Sequence, residues 1–411
     1  MSRRPGTPRL LRQLNDRAAL ELLMSTGPLT RTQLGQATGL SKVTASQLLS
    51  RLQERELVHI VGAQAGGRGP NAALYDVVPS SAYVAGLDVG PTEVTAEGPQ
   101  QVTAAIADIT GQVVTESTID LAGESDPVSA VHTTVMRLVE RAEVPLDRLR
   151  AFVIGTPGVV DPRTGDIRFS FNLPSWHEGV LELLRADLQR SVIIENDVNL
   201  AAFAERSLGA ARNTDDFVLL WIGAGVGMAI MLGGQLHRGH AGGAGEIGWL
   251  PVPGAPLPEE VGLPEGYHGH GEPAPHPALG YGLQSLIGAR ATCALAAEHG
   301  LPSDSVSVAF TAARSGTDGG EAFLDEMSRR IARAVTAVSV ILDPGLIVLG
   351  ADVVRAGGDD LAQRIRQETR RLGLEAPDIQ LSQVDGNPVL RGAVLSALDA
   401  AREELFSTTT E

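Results

Sequence analysis

The segment that most constrains the fold is a short apolar stretch, Val192–Ile194, that leads directly towards a helix. Its β-branched residues predict a buried strand, and Glu195, Asn196 and Asp197 stand at the carboxyl end of that strand. Apolar residues then recur at helical spacing until Gly209, which favours a helix end. Open α/β sheets bind ligands where strands deliver polar groups to the start of a helix. Two interpretations stay open: a ligand site at Asn196 and Asp197, or an ordinary helix N-cap.

Charge is divided unevenly along the chain. Residues 1–72 hold ten basic and four acidic side chains, a formal charge of +6, and the other residues carry the −22 that brings the total to −16. A basic head on an acidic body predicts that the head meets an anion and that the body does not.

The composition also limits the compartment. The single cysteine, Cys293, excludes an internal disulfide and a metal cage built from cysteines, and it fits a reducing cytoplasm. The N-terminus has no stretch like a signal peptide, and the apolar run Ala334–Gly350 is broken by Asp343-Pro344. We therefore expect a cytoplasmic protein without a membrane partner.

The first 80 residues predict a winged helix-turn-helix. A helix over residues 8–24 precedes Thr30–Gln33, which has the form of a capping box and opens a second helix. After a turn at Gly39, Ser41 can cap a third helix that runs to about Glu54. In such a motif the second of the two joined helices reads the major groove of DNA. The apolar face expected for this recognition helix comprises Val43, Leu48, Leu49 and Leu52.

Two strands, Leu57–Val61 and Ala73–Val77, complete the predicted head. The loop between them carries one cation, Arg68, which suits a minor groove or a phosphate. The residues predicted to contact DNA face outward or lie in this loop: Arg31, Ser41, Lys42, Thr44, Ser46, Gln47, Arg51 and Arg68. The alternative is a small helical packing domain with a solvated arginine, but the charge of the head favours DNA binding.

The order of motifs across nearly the whole chain resembles the ROK family (repressors, open reading frames, kinases). The head, with TRTQLGQATGLSKVTASQLLSRLQERELV and GGRGPNAALY, resembles that of repressors of the xylose and N-acetylglucosamine type. The body carries further motifs in family order: DVGPT, IGTPGVVDPRTG, FNLPSW, IENDVNLAAFAE, IGAGVGMAIMLGGQLHRG, AGEIGW, LDPGLIVLGAD and NPVLRGAVLSALD.

The resemblance implies an α/β chain: an N-terminal winged helix-turn-helix and a two-lobed, actin- and sugar-kinase-like (ribonuclease H-like) body. Residues 1–80 would bind DNA, and residues 81–411 would bind sugar and oligomerise. Lobe one would cover about 81–198 with 385–411, and lobe two about 199–384. Motif positions imply these sugar-binding residues: Asn172, Asn196, Asp197, Glu246 and Gln284, the last in place of a family glutamate. In family kinases the aspartate at the position of Asp197 takes the proton from the attacking hydroxyl.

The motifs that hold phosphate in the family's kinases look degraded here. Their remaining positions are Asp88, Gly90, Gly223, Gly225 and Gly227. Pro91 follows the first of them, Ala224 stands where the kinases carry a hydroxyl residue, and Ala351 stands where a second glycine would. Phosphate oxygens bind N–H and O–H donors, so these changes oppose phosphoryl transfer.

The family's zinc motif is also absent. Trp249 replaces its histidine, and no cysteines follow. A Pro/Gly-rich segment, residues 251–280, instead carries His268, His270 and His276. These could bind a metal, but the alternative of a solvated loop is favoured, and we expect no cofactor.

Together the residues and the resemblance favour a transcriptional regulator, a repressor of carbohydrate-use genes in which Asp197 binds a sugar hydroxyl without activating it. The expected partners are a palindromic operator, a sugar or sugar derivative, and further copies of the chain in a homodimer or homotetramer. Two alternatives stay open. One is an ATP-dependent sugar kinase that carries a DNA-binding head, and the other is a regulator whose vestigial body only dimerises.

Overall fold

A small N-terminal head is joined to an α/β body built on two five-stranded sheets. The computed structural model describes residues 8–65, 71–90, 101–121, 126–165, 167–169, 182–187, 192–262, 280–373 and 377–407. Six positions of interest lie outside these ranges: Arg68, Pro91, Asn172, His268, His270 and His276. None of the described helices is long and apolar enough to cross a bilayer.

The head is a winged helix-turn-helix, as predicted. Its elements are α1 Pro8–Thr26, β1 Leu29–Thr30, α2 Arg31–Thr38, α3 Lys42–Glu54, β2 Val58–Gln64 and β3 Ala72–Val77. The three strands form an antiparallel sheet in the order β1-β3-β2. The capping box is confirmed, because Thr30 N donates to Gln33 Oε1 at 2.8 Å while the Thr30 side chain accepts from Gln33 N. Ser41 caps α3, as expected from its position.

The buried face of α3 differs from the predicted one at Val43. This side chain is 66% exposed, and Ala45 takes its place beside Leu48, Leu49 and Leu52. Ala45 lies three and four residues before Leu48 and Leu49, so it completes one stripe of the helix, whereas Val43 falls outside that stripe.

The first body sheet has the order β10-β7-β4-β5-β6. Its strands are β4 Tyr83–Asp88, β5 Gln101–Asp108, β6 Val113–Asp120, β7 Leu149–Thr156 and β10 Val192–Asn196. The first three return antiparallel, and β7 and β10 run parallel to β4. Helix α4, Pro127–Arg141, packs on β5 and β6, and a small hairpin of β8 Val159–Val160 and β9 Ile167–Phe169 follows β7.

The second sheet repeats this plan in the order β13-β12-β11-β14-β15. Its strands are β11 Phe217–Ile222, β12 Val226–Leu232, β13 Gln235–Leu236, β14 Leu346–Gly350 and β15 Asp378–Leu381. Again three strands are antiparallel and two run parallel to the first. The accompanying helices are α6 Gln284–Ile287, α7 Ala289–Glu298, α8 Val306–Arg314, α9 Gly320–Leu342 and α10 Asp352–Arg371, the last kinked at Gly358.

Two helices connect these parts: α5, Asp197–Leu208, and α11, Pro388–Ser407. They pack against each other so closely that a Cβ at Gly392 would collide with the Leu200 carbonyl. Helix α11 also lies on β4 and β7 and reaches α1, while α5 lies against β11 and β12. One apolar core therefore runs from Leu23 and Leu48 in the head to Val348 in the second sheet.

Gly209 ends α5, as predicted, but for another reason than left-handed geometry. Its φ is −109°, which any residue adopts, and a Cβ there would collide with the carboxylate of Glu205. That carboxylate is fully buried and accepts from Ala210 N at 2.8 Å and from the Ser382 hydroxyl. Glu205 thus ties the end of α5 to the segment between β15 and α11.

Candidate functional site

A cavity of about 390 Å³ opens at the carboxyl ends of parallel strands from both sheets. Asp88, at the end of β4, and Asn196, at the end of β10, line one side. The β11–β12 turn and Glu246 line the other side, and the start of α11 closes it. The strand-to-helix segment around Asp197 therefore lies where α/β folds bind ligands.

Asn196 is the N-cap of α5. Its Oδ1 accepts from Asn199 N at 3.0 Å, and its Nδ2 donates to Gly158 O at 3.0 Å. The N-cap interpretation therefore describes Asn196, whose amide has protein partners at both ends. Asp197 follows as the first helical residue and borders the cavity, with its Oδ1 accepting from Val198 N at 2.8 Å.

The cavity brings together three carboxyl groups whose pKa values are raised, in each case mainly by burial. Burial, and then the charge of Asp88, raises the pKa of Asp197 to about 7. Burial, and then the charge of Asp197, raises the pKa of Glu246 to about 7. Burial also raises the pKa of Asp88, against the opposing effect of hydrogen bonds from Asn387 Nδ2 at 2.7 Å and Gly90 N at 3.0 Å.

Gln284 is occupied by the backbone of the β11–β12 turn. Its Oε1 accepts from Val226 N at 2.5 Å, and its Nε2 donates to Ala224 O at 3.0 Å. The side chain is buried and borders the cavity, but both of its polar ends clamp this turn. Gly223 N donates to Gly225 O at 3.0 Å, so the turn is also closed from within.

Ala351 has a backbone conformation that normally requires glycine. Its φ is 70° and its ψ is −173°, and it lies buried before α10. This region of φ and ψ is almost restricted to glycine because a Cβ is crowded there. Ala351 therefore holds a backbone geometry typical of glycine under strain. Its methyl group faces Gly223. A Cβ added at Gly223 would lie 3.2 Å from the Cβ of Ala351.

An ion pair that sequence reasoning missed joins the two sheets beside the cavity. Arg238, after β13, lies 2.6 Å from Glu195 Oε2, and Asn199 Nδ2 donates to Glu195 Oε1 at 2.9 Å. The Glu195 side chain is only 8% exposed. The sequence carried no signal for this pair, because 43 residues separate its members.

The recognition helix presents only part of the predicted DNA-contacting set. Arg31, Ser41, Lys42 and Gln47 are exposed, whereas Thr44 and Ser46 are half-buried. The apolar Val43, between Lys42 and Thr44, is also exposed. Ser41 accepts from Thr44 N as the N-cap, and Arg31 Nη1 donates to Ser46 Oγ at 3.4 Å. An exposed methyl-bearing side chain such as Val43 can contact thymine methyl groups in a major groove.

Arg51 does not face outward as predicted. Its Nη2 lies 2.7 Å from Asp16 Oδ1 on α1, and the Asp16 side chain is only 1% exposed. A buried carboxylate needs a partner, so the guanidinium turns towards α1 instead of solvent. Arg51 thus fastens α3 to α1.

Helix α11 links the cavity to the head. The first residues of α11, Pro388 and Val389, line the cavity. Asn387 caps the helix, because its Oδ1 accepts from Leu390 N at 3.0 Å. At its other end, Leu405 O accepts from Arg55 Nη2 at 2.8 Å. Arg55 follows the recognition helix directly. No local pattern predicts this contact, because 350 positions of sequence separate its two residues.

Within the described ranges, no group of three or more His, Cys, Asp or Glu residues is arranged to hold a metal ion. The sugar-binding candidates Asn196, Asp197, Glu246 and Gln284 all border one cavity, and Asn172 lies outside the described ranges. The positions predicted to correspond to the phosphate motifs of the family's kinases, Asp88, Gly90, Gly223, Gly225 and Gly227, border the same cavity.

Comparison with known proteins gives two matching families. The profile of the ROK family matches residues 85–395, and that of the MarR family matches residues 13–69. The chain is 24% identical over 249 residues to the DNA-binding transcriptional dual regulator NagC of Escherichia coli strain K12. That match covers 60% of this chain and 59% of NagC, so it spans less than two thirds of the relative.

An enzyme and a solved regulator are also similar. A glucokinase of Thermotoga maritima is 29% identical over 262 residues, which cover 59% of this chain and 75% of the enzyme. The crystal structure of a ROK family transcriptional regulator, a homologue of the E. coli MLC protein, superposes with a TM-score of 0.73. The superposition covers 96% of this chain and 98% of the regulator's chain at 19% sequence identity, which shows a common fold.

Proposed function

The chain belongs to the ROK family, and on this premise we propose that it is a DNA-binding transcriptional regulator controlled by a sugar in the cavity. One observation carries the proposal: the helix that borders the cavity is the helix on which the DNA-binding head rests. Asn387, at its start, is bonded to Asp88, and Leu405, near its end, is bonded to Arg55. Relatives named as a DNA-binding transcriptional dual regulator and as a xylose repressor support the same assignment.

The proposed mechanism uses α11 as a rigid connection. At about 1.5 Å per residue, its 20 residues span about 30 Å between cavity and head. A ligand that hydrogen-bonds Asp88 competes with the contact from Asn387 Nδ2 and changes the free energy of one lobe arrangement relative to another. Because α11 packs on α1 and Arg55, such a shift changes the placement of α3.

We propose that the cavity carboxyl groups Asp197 and Glu246 bind sugar hydroxyls. By motif position we also assign Asn196 and Asn172 to the sugar. Gln284 supports this site indirectly, since it holds the β11–β12 turn in place. The DNA contacts that we assign to the recognition helix are Lys42, Thr44 and Gln47, with Arg68 in the wing loop. The operator is proposed to be palindromic and bound by a homodimer or homotetramer, because one helix reads only a few base pairs.

Sugar kinase activity is the second candidate. Two observations favour it: the similarity to a glucokinase, and the pKa near 7 of Asp197, which suits a general base. Against it, the resemblance implies that Ala224 and Ala351 replace a hydroxyl residue and a glycine of the phosphate-binding motifs in the family's kinases. ATP turnover with a panel of hexoses tests it. Phosphorylation that disappears in Asp197→Asn would establish the kinase and refute the non-enzymatic assignment.

The test of the proposed function is binding to a duplex selected from a random library, followed by fluorescence anisotropy with and without sugars. Lys42→Ala should weaken binding about tenfold or less, and the loss should be the same across sequences if it contacts phosphate. Arg391→Ala, on the exposed face of α11, is the matched control. Equal affinity of Lys42→Ala and the unchanged protein would refute the recognition-helix assignment. A body that only dimerises would show no thermal stabilisation by any sugar.

A further inference from the structure

The cavity is acidic on each side that the structure describes. Four carboxylates line it, and they come from different elements: Asp88, Asp197, Glu246 and Asp352. The one described cationic side chain in its lining is Arg355. Among the described residues, neither Glu246 nor Asp197 forms an ion pair, so both carboxyl groups are available to a ligand.

Arg355 is poorly placed to attract an anion. Its side chain is 61% exposed, and its Nη1 lies 3.7 Å from Asp352 Oδ1. Asp352 also stands in the first turn of α10, the position where a helix would otherwise attract an anionic ligand. The Asp352 carboxylate therefore lies at the N-terminus of α10 and also pairs with Arg355.

The longest segments outside the described ranges add no lysine or arginine to the charge balance. The three longest segments outside the described ranges, residues 91–100, 170–181 and 263–279, contain neither. A phosphate group in a protein site is usually held by arginine, lysine or several free N–H groups. Gly90 N, a donor at the cavity, is already engaged by Asp88 Oδ1 at 3.0 Å.

Trp249 adds an apolar wall that suits a different ligand. It lines the cavity and also a neighbouring apolar cavity of about 360 Å³, and Glu246 lines both. The neighbouring cavity is bordered by apolar side chains such as Met228, Ile230 and Ile341. An indole ring packs against the apolar face of a ligand and attracts a cation over its ring.

From this distribution we infer that the effector is a sugar without an anionic group, bound through hydroxyl or amine groups on Asp197 and Glu246 with an apolar face towards Trp249. A phosphorylated sugar would bring like charges together, which opposes binding. An amine would instead be placed between carboxylates and an aromatic ring, both of which favour a cation. The inference rests on the proposed function, since it names the ligand class of that same cavity.

Isothermal titration calorimetry with matched sugars tests the inference. The probes are glucosamine, glucose and glucose 6-phosphate, with the corresponding galactose and mannose series. In the series that binds, we expect the phosphate to bind at least about tenfold more weakly than the neutral sugar, and the amine to bind as tightly or more tightly. Glu246→Gln should weaken amine binding about tenfold more than neutral-sugar binding, because it removes a charge-assisted hydrogen bond. Glu259→Gln, in an exposed loop, is the matched control.

Three outcomes separate the claims. A phosphate that binds as tightly as or more tightly than its neutral parent, or phosphate binding that Arg355→Ala abolishes, would overturn the inference and leave the proposed regulator intact. No heat and no change in DNA affinity with any of the sugars would overturn the proposed function itself. Weaker phosphate binding with an amine preference lost in Glu246→Gln would support the inference.

Discussion

Asp197 is a carboxyl group whose protonation depends on the side chains around it. Asp88, Glu246, Asp352 and Arg355 line the same cavity, and burial together with Asp88 raises its pKa to about 7. Near neutral pH it therefore exists in both protonation states, so it can donate or accept a hydrogen bond to a sugar hydroxyl.

The raised pKa of Asp197 predicts a stability that falls as pH rises. In an unfolded chain this carboxyl titrates near 4, so between about pH 4 and 7 the folded protein holds a proton that the unfolded chain has lost. The contribution is fully present below about pH 4 and is lost as pH rises through about 7. Urea unfolding at pH 5 and pH 8 should show this loss, and Asp197→Asn should reduce it.

The matched control for this measurement is Asp318→Asn, an exposed aspartate outside the cavity. It should leave the dependence of the unfolding free energy on pH unchanged. If Asp197→Asn is no more stable than the unchanged protein at pH 8, the carboxyl does not have the raised pKa.

Ala351 predicts a stabilising substitution. Its conformation, with φ of 70° and ψ of −173°, costs on the order of 1–3 kcal/mol for a residue with a Cβ. Loss of its buried methyl group costs only about 0.8 kcal/mol. The greater freedom of glycine in the unfolded chain costs a further ~0.4–1 kcal/mol, so Ala351→Gly should raise the free energy of unfolding by roughly 0.5 kcal/mol in chemical denaturation. Ala362→Gly, buried in the regular part of α10, should instead lower it by about 1 kcal/mol or more. Destabilisation of similar size at both positions would contradict the strain.

At the scale of elements, the ion pair between Asp16 and Arg51 fixes α3 against α1. Arg51→Ala leaves a carboxylate that is 1% exposed without this partner, so it should lower the stability of the head by about 3–5 kcal/mol. Asp16→Asn with Arg51→Ala should recover part of that loss, as measured by a double-mutant cycle in urea unfolding. Additive effects would show that the two side chains do not interact. If Arg51→Ala also loses DNA binding, we attribute the loss to displacement of α3 and not to a missing contact between Arg51 and DNA.

The contact between α11 and the head predicts that sugar affinity can be separated from the effect of sugar on operator affinity. Arg55→Ala removes the hydrogen bond to Leu405 O between the recognition helix and α11. We expect sugar binding in calorimetry to be retained, while the effect of sugar on operator affinity falls several-fold, since a coupling free energy is typically about 1–3 kcal/mol. Arg391→Ala on the exposed face of α11 should keep both properties. An unchanged sugar effect in Arg55→Ala would remove this contact from the mechanism.

The whole molecule combines a head of charge +6 with an acidic remainder. Operator affinity should therefore fall steeply with salt, because each phosphate contact releases a counterion. A full palindrome should bind at least about tenfold more tightly than one half-site if two heads bind together. Anisotropy titrations between about 50 and 200 mM salt test both expectations. Equal affinity for half-site and palindrome would contradict the dimeric arrangement.

Local sequence was enough to predict the elements that depend on neighbours in the chain. The capping box at Thr30, the cap at Ser41 and the strand-to-helix segment ending at Gly209 each depend on groups a few residues apart. The order of motifs likewise indicated the family and the α/β fold. Such features can be predicted because their hydrogen bonds close within one or two turns of chain.

Only the tertiary structure decided which distant groups meet. Asp16 takes the guanidinium of Arg51, Gln284 binds the β11–β12 turn, and Arg55 reaches Leu405 across 350 positions of sequence. The tertiary structure also buries Glu246 near Asp197, and burial and then the charge of Asp197 raise the pKa of Glu246. These contacts follow from how helices and sheets pack, and packing depends on the sum of many apolar contacts and not on any local pattern.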